Sequence, residues 1–488
     1  MNKSYRTVWN EALGAWVAAS EITKARGKRS RSGAVVAAAI VIGALGTFDG
    51  AVAQSLGKGT ATGTAATAIS SPNGCTDPLT AGRTWGNATA ANNGIAIGCG
   101  SDADGFGSSN IAIGFQAIAE SHLADGTLSG NGDQIAIGSN TSATGRDSMA
   151  IGGQVTAAAE ESIALGNNGN GVDIASTGSI AIGVYSGVVG SANAVALGRF
   201  ASTSDSANSV VLGAGTTATG SEGSTAVGSG ASVTSAIGGT ALGRSASVTA
   251  ANAVAVGARS KATQANAIAI GGGSSDTESA QATGAKSIAM GFGAQASGTQ
   301  SISIGTGNKV TGNNSGAFGD PTIIDSANSY SVGNNNVLNA ASDNVFVLGN
   351  NVQVEGTAGG SVVMGNSASV KTGGLNSLVL GSSAESSANA GIAMGLNAKV
   401  IGGTSNIAIG ESALTSTTKG ANDQIAIGRQ AQVTAIDSIA VGGGPSSKLR
   451  LPSPLEATPA PPLSMPPRVV RLRSGMPQLS QHRAAGWR

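Results

Sequence analysis

At 488 residues the chain is long enough for about three globular domains of roughly 150 residues each, yet its composition argues against them. Glycine supplies 76 residues while aromatics make up 3% and charged residues 11%, so the large side chains that fill globular cores are scarce. A net charge of +1 conceals a basic start (+4 over 1–53), a basic end (+6 over 445–488) and an acidic body (−9 over 54–444). That body has no basic stripe for a phosphate backbone, which speaks against nucleic-acid binding.

The first 53 residues read as an address. Gly33 to Leu45 is an apolar run of 13 residues behind the basic cluster Lys24–Arg31, too short to span a bilayer comfortably, where about 20 are needed. Ala51-Val52-Ala53 follows as an A-x-A signal, so processing is expected after Ala53. Residues 54–93 then read as an N-terminal cap region. It holds Trp85, expected to cover the exposed end of the structure that follows, and Cys75, which with Cys99 makes up the chain's two cysteines. In an exported region these two are expected to form a disulfide.

From 94 to 444 one phrase returns throughout. It runs Ile95-Ala-Ile-Gly98, Ile111-Ala-Ile-Gly114, Ile135-Ala-Ile-Gly138, and again up to Gly152, Gly166, Gly183, Gly198, Gly257, Gly271, Gly291, Gly305, Gly395, Gly410, Gly428 and Gly442. Such regularity implies one supersecondary unit stacked many times. Within each phrase a large apolar residue alternates with alanine, the period of a strand whose two faces differ. Glycine then permits the positive φ needed to turn without a Cβ clash. A weaker second strand follows, as in Gln116–Ala119, so one period is strand, turn, strand, turn. The isoleucines are expected to fill the coil, and the alanines to form a small outer face that lets sister chains approach. About 23 coils at ~4.8 Å would make a rod of roughly 110 Å.

Two sets of phrases carry a resemblance. Met1–Asn10 with Gly14–Glu21 resembles the extended signal peptide region of large type V secreted proteins, which implies Sec-dependent export. Ser162-Ile-Ala-Leu-Gly166, Asn266–Gly271, Asn328–Gly333 and Asp343–Gly349 resemble the head repeats of YadA-like trimeric autotransporter adhesins. The resemblance implies an all-β, left-handed parallel β-roll, a homotrimer, a place at the cell surface or outer membrane, and attachment to host extracellular matrix, cells or surfaces. The alternatives are a non-adhesive structural β-solenoid or a non-functional remnant of an adhesin.

Members of that family continue into a coiled-coil stalk and a membrane anchor, and no such pattern follows Gly444. Residues 445–488 carry nine prolines and seven basic residues, a composition that reads as disordered. The abrupt change after Gly442 points to a frameshift in the gene or gene model.

Chemistry-bearing residues are sparse. The body holds one histidine, His122, and neither HExxH, a Walker loop nor GxSxG, so no catalytic, metal or cofactor site is expected. A hexapeptide acyltransferase would need a period of six, and calcium nonapeptides an aspartate every nine. An ice-binding solenoid would need a flat Thr-x-Thr array, and threonine is irregularly spaced along the chain. The insertions Glu120–Asp133 and Gly272–Gln281 must loop out of the repeat, where binding residues tend to reside.

Overall fold

A computed structural model describes residues 5–10, 15–20, 54–444 apart from 63–64, 72–74, 77–83, 92, 105–108, 121–131, 170, 173–175 and 416–420, and 449–450. The chain divides into two units, Met1–Ala51 and Val52–Arg488. In the first, Tyr5–Asn10 and Ala15–Ser20 pair antiparallel. Ala53, His122 and most of 445–488 lie outside the described residues.

The second unit is a parallel β-solenoid of about two dozen coils, with no helix among the described residues. Each coil contributes a strand of about three residues to each of two sheets. Sheet one stacks the glycine-terminated phrases in register, Ile111 on Ile95, Ile135 on Ile111 and Met149 on Ile135. Sheet two stacks the weaker strands, such as Ser202–Ser204 on Thr217–Thr219 on Ser232–Thr234. Coils begin at Gln54–Leu56 and Thr60–Thr62, which pair in parallel with Thr67–Ile69 and Thr89–Ala91. The stacking therefore starts within the segment set apart above as a cap. Between those coils Cys75–Thr76 and Thr84–Trp85 form a short antiparallel pair.

The interior overturns one expectation. The alanines, not the isoleucines, fill the coil: Ala96, Ala112, Ala136, Ala150 and Ala164 are each 0% exposed, while the flanking isoleucines are only half-buried and point outward. Alternation over period 2 fixes that two faces differ but not which is inside. The short turns decide that, because they hold the two sheets so close that a methyl or isopropyl group fills the space between them. Where one wall is smaller the other grows: Ser331 in sheet one shares its coil with Leu338, and both are fully buried.

Stacking also explains the glycines. The phrase-closing residues lie at φ of +126° at Gly98, +136° at Gly114 and +137° at Gly138, a region closed to most side chains. A second turn position lies near φ +55° and is often asparagine, as at Asn193, Asn208 and Asn252, the residue that tolerates the left-handed region best after glycine.

Hydrogen bonds between coils run through buried serines at the corners. The Ser206 amide donates to Ser191 Oγ at 2.9 Å and the Ser221 amide to Ser206 Oγ at 2.9 Å, with the Ala236 amide completing the column on Ser221 Oγ. Where an insertion separates two coils, longer side chains do the same work. Gln134 N–H donates to Asn110 Oδ1 at 3.1 Å and Gln424 N–H to Asn406 Oδ1 at 2.9 Å. Each glutamine then reaches a turn carbonyl, of Gly145 and Ala435 respectively. Buried amides left without partners would cost about 1–3 kcal/mol each, so these side chains are part of the stack.

Candidate interaction faces

Because mostly small residues occupy the interior, nearly all large or charged side chains are displayed, and the two outward faces differ in kind. On sheet one the first and third residue of each phrase point out, giving two columns made mostly of Ile, Val, Leu and Met, with Thr225 and Thr240 and a short aromatic block among them. Leu212, Met290, Val332, Leu348 and Leu380 are each about 40% exposed there. A contiguous apolar surface of this length exceeds what a lone soluble protein presents.

Sheet two points mainly polar residues outward, with Ile118, Val189, Ile323 and Leu414 among the exceptions. Its first outward column runs Ser202, Thr217, Ser232, Ser247, Lys261, Gln281, Gln295 and Lys309. In the second column every coil from Ser204 to Thr311 places a serine or threonine. Hydroxyl groups irregularly spaced along the chain thus become a ladder in space, because residues 272–279 loop out while Gln281, expected to belong to that insertion, pairs in register with Lys261. Neighbouring hydroxyls bond to one another, as Thr217 Oγ1 does to Ser232 Oγ at 3.2 Å.

Charges on this side pair across coils. Lys371 Nζ meets Glu355 Oε1 at 2.8 Å, which holds the Glu355 carboxyl below its ordinary range and raises the Lys371 ammonium. The loop 272–279 is held by its acids: Glu278 accepts from the Ser274 amide within the loop, and the Asp276 oxygens face Lys261 and Arg259 of the preceding coil. Near the first coils Asp102, Asp104 and Glu120 cluster. Burial, with Asp102 alongside, pushes the half-buried Glu120 carboxyl up to about 8, while Thr89 Oγ1 donates to Asp102 at 2.6 Å. Asp102 also lines a depression of about 570 Å³ with Asn87, Gln116 and Ile118.

Two aromatic rings meet at the turns of adjacent coils. Tyr185 and Phe200, one coil apart, stack with centroids 5.0 Å apart, and the Arg199 guanidinium sits 4.5 Å from the Phe200 ring centre. Among the described residues no group of three or more His, Cys, Asp or Glu could hold a metal ion, and no helix is long and apolar enough to cross a membrane. Cys99 is disulfide-bonded, and Cys75 is the chain's other cysteine. Sequence reasoning found the glycines but missed the corner serines and the hydroxyl ladder, which only the pairing register brings together.

Comparison with known proteins adds three findings. Residues 1–48 match the Extended Signal Peptide of Type V secretion system. The YadA head domain repeat matches successive stretches from 135–154 to 296–320 and again at 425–444. The chain is 31% identical over 123 residues to autotransporter adhesin EhaG of Escherichia coli O157:H7, a stretch covering 25% of this chain and only 6% of that protein.

Proposed function

The chain belongs to the YadA-like trimeric autotransporter adhesins, and from that premise we propose that it is an adhesive head whose two outward faces divide the work. The apolar face of sheet one joins three copies of the chain, and the polar face of sheet two meets the target: host matrix, cells or another surface. The observation that carries this reading is the asymmetry itself. Partly exposed aliphatic side chains, up to two per coil over about two dozen coils, line this face from end to end. A standard interface needs about 800 Å² per partner.

Repetition suits adhesion. A ladder of hydroxyls with interspersed Lys and Gln offers the same weak contact many times, and three copies multiply it, so binding sums by avidity. Export precedes assembly in this proposal: the leader directs Sec-dependent translocation, cleavage follows Ala53, and a Cys75–Cys99 disulfide fastens the early insertion to the first coils. The role is one of binding rather than catalysis.

The test is a measurement of the full chain's mass by light scattering, with binding in parallel to purified matrix proteins, cultured cells and polystyrene. A mass three times that of the single chain with saturable binding to one of these targets is expected. An intact trimer that binds none of the three overturns the adhesive role, and a monomer overturns the use of sheet one.

A further inference from the structure

A face made of near-identical rows has a register problem. If copies associate through the sheet-one columns, as proposed above, sliding one copy by a coil, ~4.8 Å, sets Ile-Ala-Ile against Ile-Ala-Ile again and loses little beyond the end rows. Long stretches of this chain are of that kind, as between Ile95 and Ile182 or between Leu378 and Ile427. Coiled coils face the same ambiguity and resolve it with a single aberrant residue in the seam.

Sheet one contains such an aberration. Three consecutive coils, Gly316–Phe318, Tyr330–Val332 and Phe346–Leu348, carry every aromatic residue that the described chain presents on this face. Phe318, Tyr330 and Phe346 are each about 40% exposed. Their stack is interrupted by an absence: where most coils place Ile, Val, Leu, Met or Thr, Gly316 has no side chain, and a Cβ built there would lie 2.7 Å from Tyr330 Cδ1 and 3.5 Å from Phe318 Cε2. The Tyr330 ring leans into the place left by Gly316, which the Phe318 ring also borders, so the column changes from empty to oversized within one coil.

We infer that the Gly316–Tyr330–Phe346 block is the register key of the association between copies. In the aligned assembly the Gly316 rows of the copies lie at one height and their Tyr330 and Phe346 rows at the next two, so each aromatic row meets its own counterpart. A shift of one coil sets rings of one copy against aliphatic rows of another and strands a notch elsewhere. Overpacked and underpacked contacts then arise together, and both disfavour the slipped state. The partner this surface selects is a second copy of this chain rather than another head with the same general repeat.

The experiment reads register directly. Full-length chains carrying Val256→Cys or Met290→Cys, distinguished by tags, are co-expressed and oxidised. These rows lie two coils apart, about 10 Å along the axis, beyond the ~7 Å Cα reach of a disulfide. Aligned copies therefore cross-link like with like only. With the natural block, mixed 256–290 cross-links are expected to stay at background. In Gly316→Ile/Phe318→Ile/Tyr330→Ile/Phe346→Ile they are expected to rise at least tenfold, with circular dichroism and mass unchanged. Tyr330→Leu/Phe346→Leu, which leaves Gly316 in place, provides a milder version should the fourfold variant fail to fold, with a smaller rise expected.

Mixed cross-links in the natural chain, or none in either regularised variant, overturn the register role while leaving the association intact. A natural chain that is monomeric by light scattering overturns both.

Discussion

A Cβ placed on Gly138 would lie 1.6 Å from the carbonyl oxygen of Gly152, the equivalent residue of the next coil. The same relation recurs up the column, with Gly152 against Gly166 and Gly305 against Gly319. The glycine is thus required twice, by its own positive φ and by the backbone one coil away. Gly138→Ala is expected to destabilise the surrounding coils by about 3 kcal/mol or more, combining left-handed strain of ~1–2 kcal/mol with a displaced carbonyl. Hydrogen exchange on the full chain checks this: faster exchange localised around residues 113–152 is expected, and unchanged protection would refute the contact.

Ser206 connects three coils, accepting the Ser221 amide while its own amide donates to Ser191 Oγ and its hydroxyl to the Ser204 carbonyl. Ser206→Ala removes the acceptor and leaves the buried Ser221 amide without it. A loss of roughly 1–3 kcal/mol is expected, read as a lower midpoint in urea. Ser204→Ala, on the outward face of the strand just before this corner, serves as the control and should change stability by less than about 0.5 kcal/mol.

The two phases of each phrase should respond in opposite ways to charge. Ala269 is buried between the sheets and Ile270 next to it points outward. Ala269→Glu is expected to unfold its coil, since neither the volume nor the charge can be accommodated. Ile270→Glu is expected to leave the β-signal in circular dichroism intact while weakening association between copies. The reverse pattern would mean that the alanine face, not the isoleucine face, lies at the outside.

The cluster of Asp102, Asp104 and Glu120 predicts a pH dependence. The Glu120 carboxyl rises from its ordinary 4.5 to about 8 in the folded chain, so between those values the folded state holds a proton that the unfolded state has released. Stability therefore falls as pH rises through this window. Glu120→Gln, which cannot ionise, is expected to raise the melting temperature at pH 8 and leave it unchanged at pH 4. The gain is on the order of 1 kcal/mol once solvent screening of a half-buried group is taken into account. A variant less stable than the natural chain at pH 8 would contradict the environment described for this carboxyl.

Much of the architecture was legible before any coordinates. The returning Ile-Ala-Ile-Gly phrase marked the strands of sheet one, and its closing glycine marked the turn, because period 2 and positive φ are local properties that a few residues express. Coils such as Thr225–Val227, Tyr330–Val332 and Val362–Met364 stack in the same ladder although their phrases drift from the pattern; there the glycine column, Gly228, Gly333 and Gly365, is what persists. Less legible were Ser206 and Gln134, whose partners lie one coil away. The Ser206 column keeps an offset of 15 residues, but a serine in so serine-rich a chain does not announce its role, while Gln134 stands 24 residues from Asn110 because an insertion separates their coils.

Local alternation, turn chemistry and repetition are written into neighbouring residues, and they suffice for a stacked β-structure with unlike faces. Which face turns inward was settled only in three dimensions. The short turns bring the two sheets to a separation that admits Ala96 and excludes Ile95 and Ile97, and steric exclusion across the coil is a relation between residues that the chain's order keeps apart. Reversing that phase moved the apolar surface from the interior to the outside, where it is available to other copies, and the same stacking lined up scattered hydroxyl groups into one ladder.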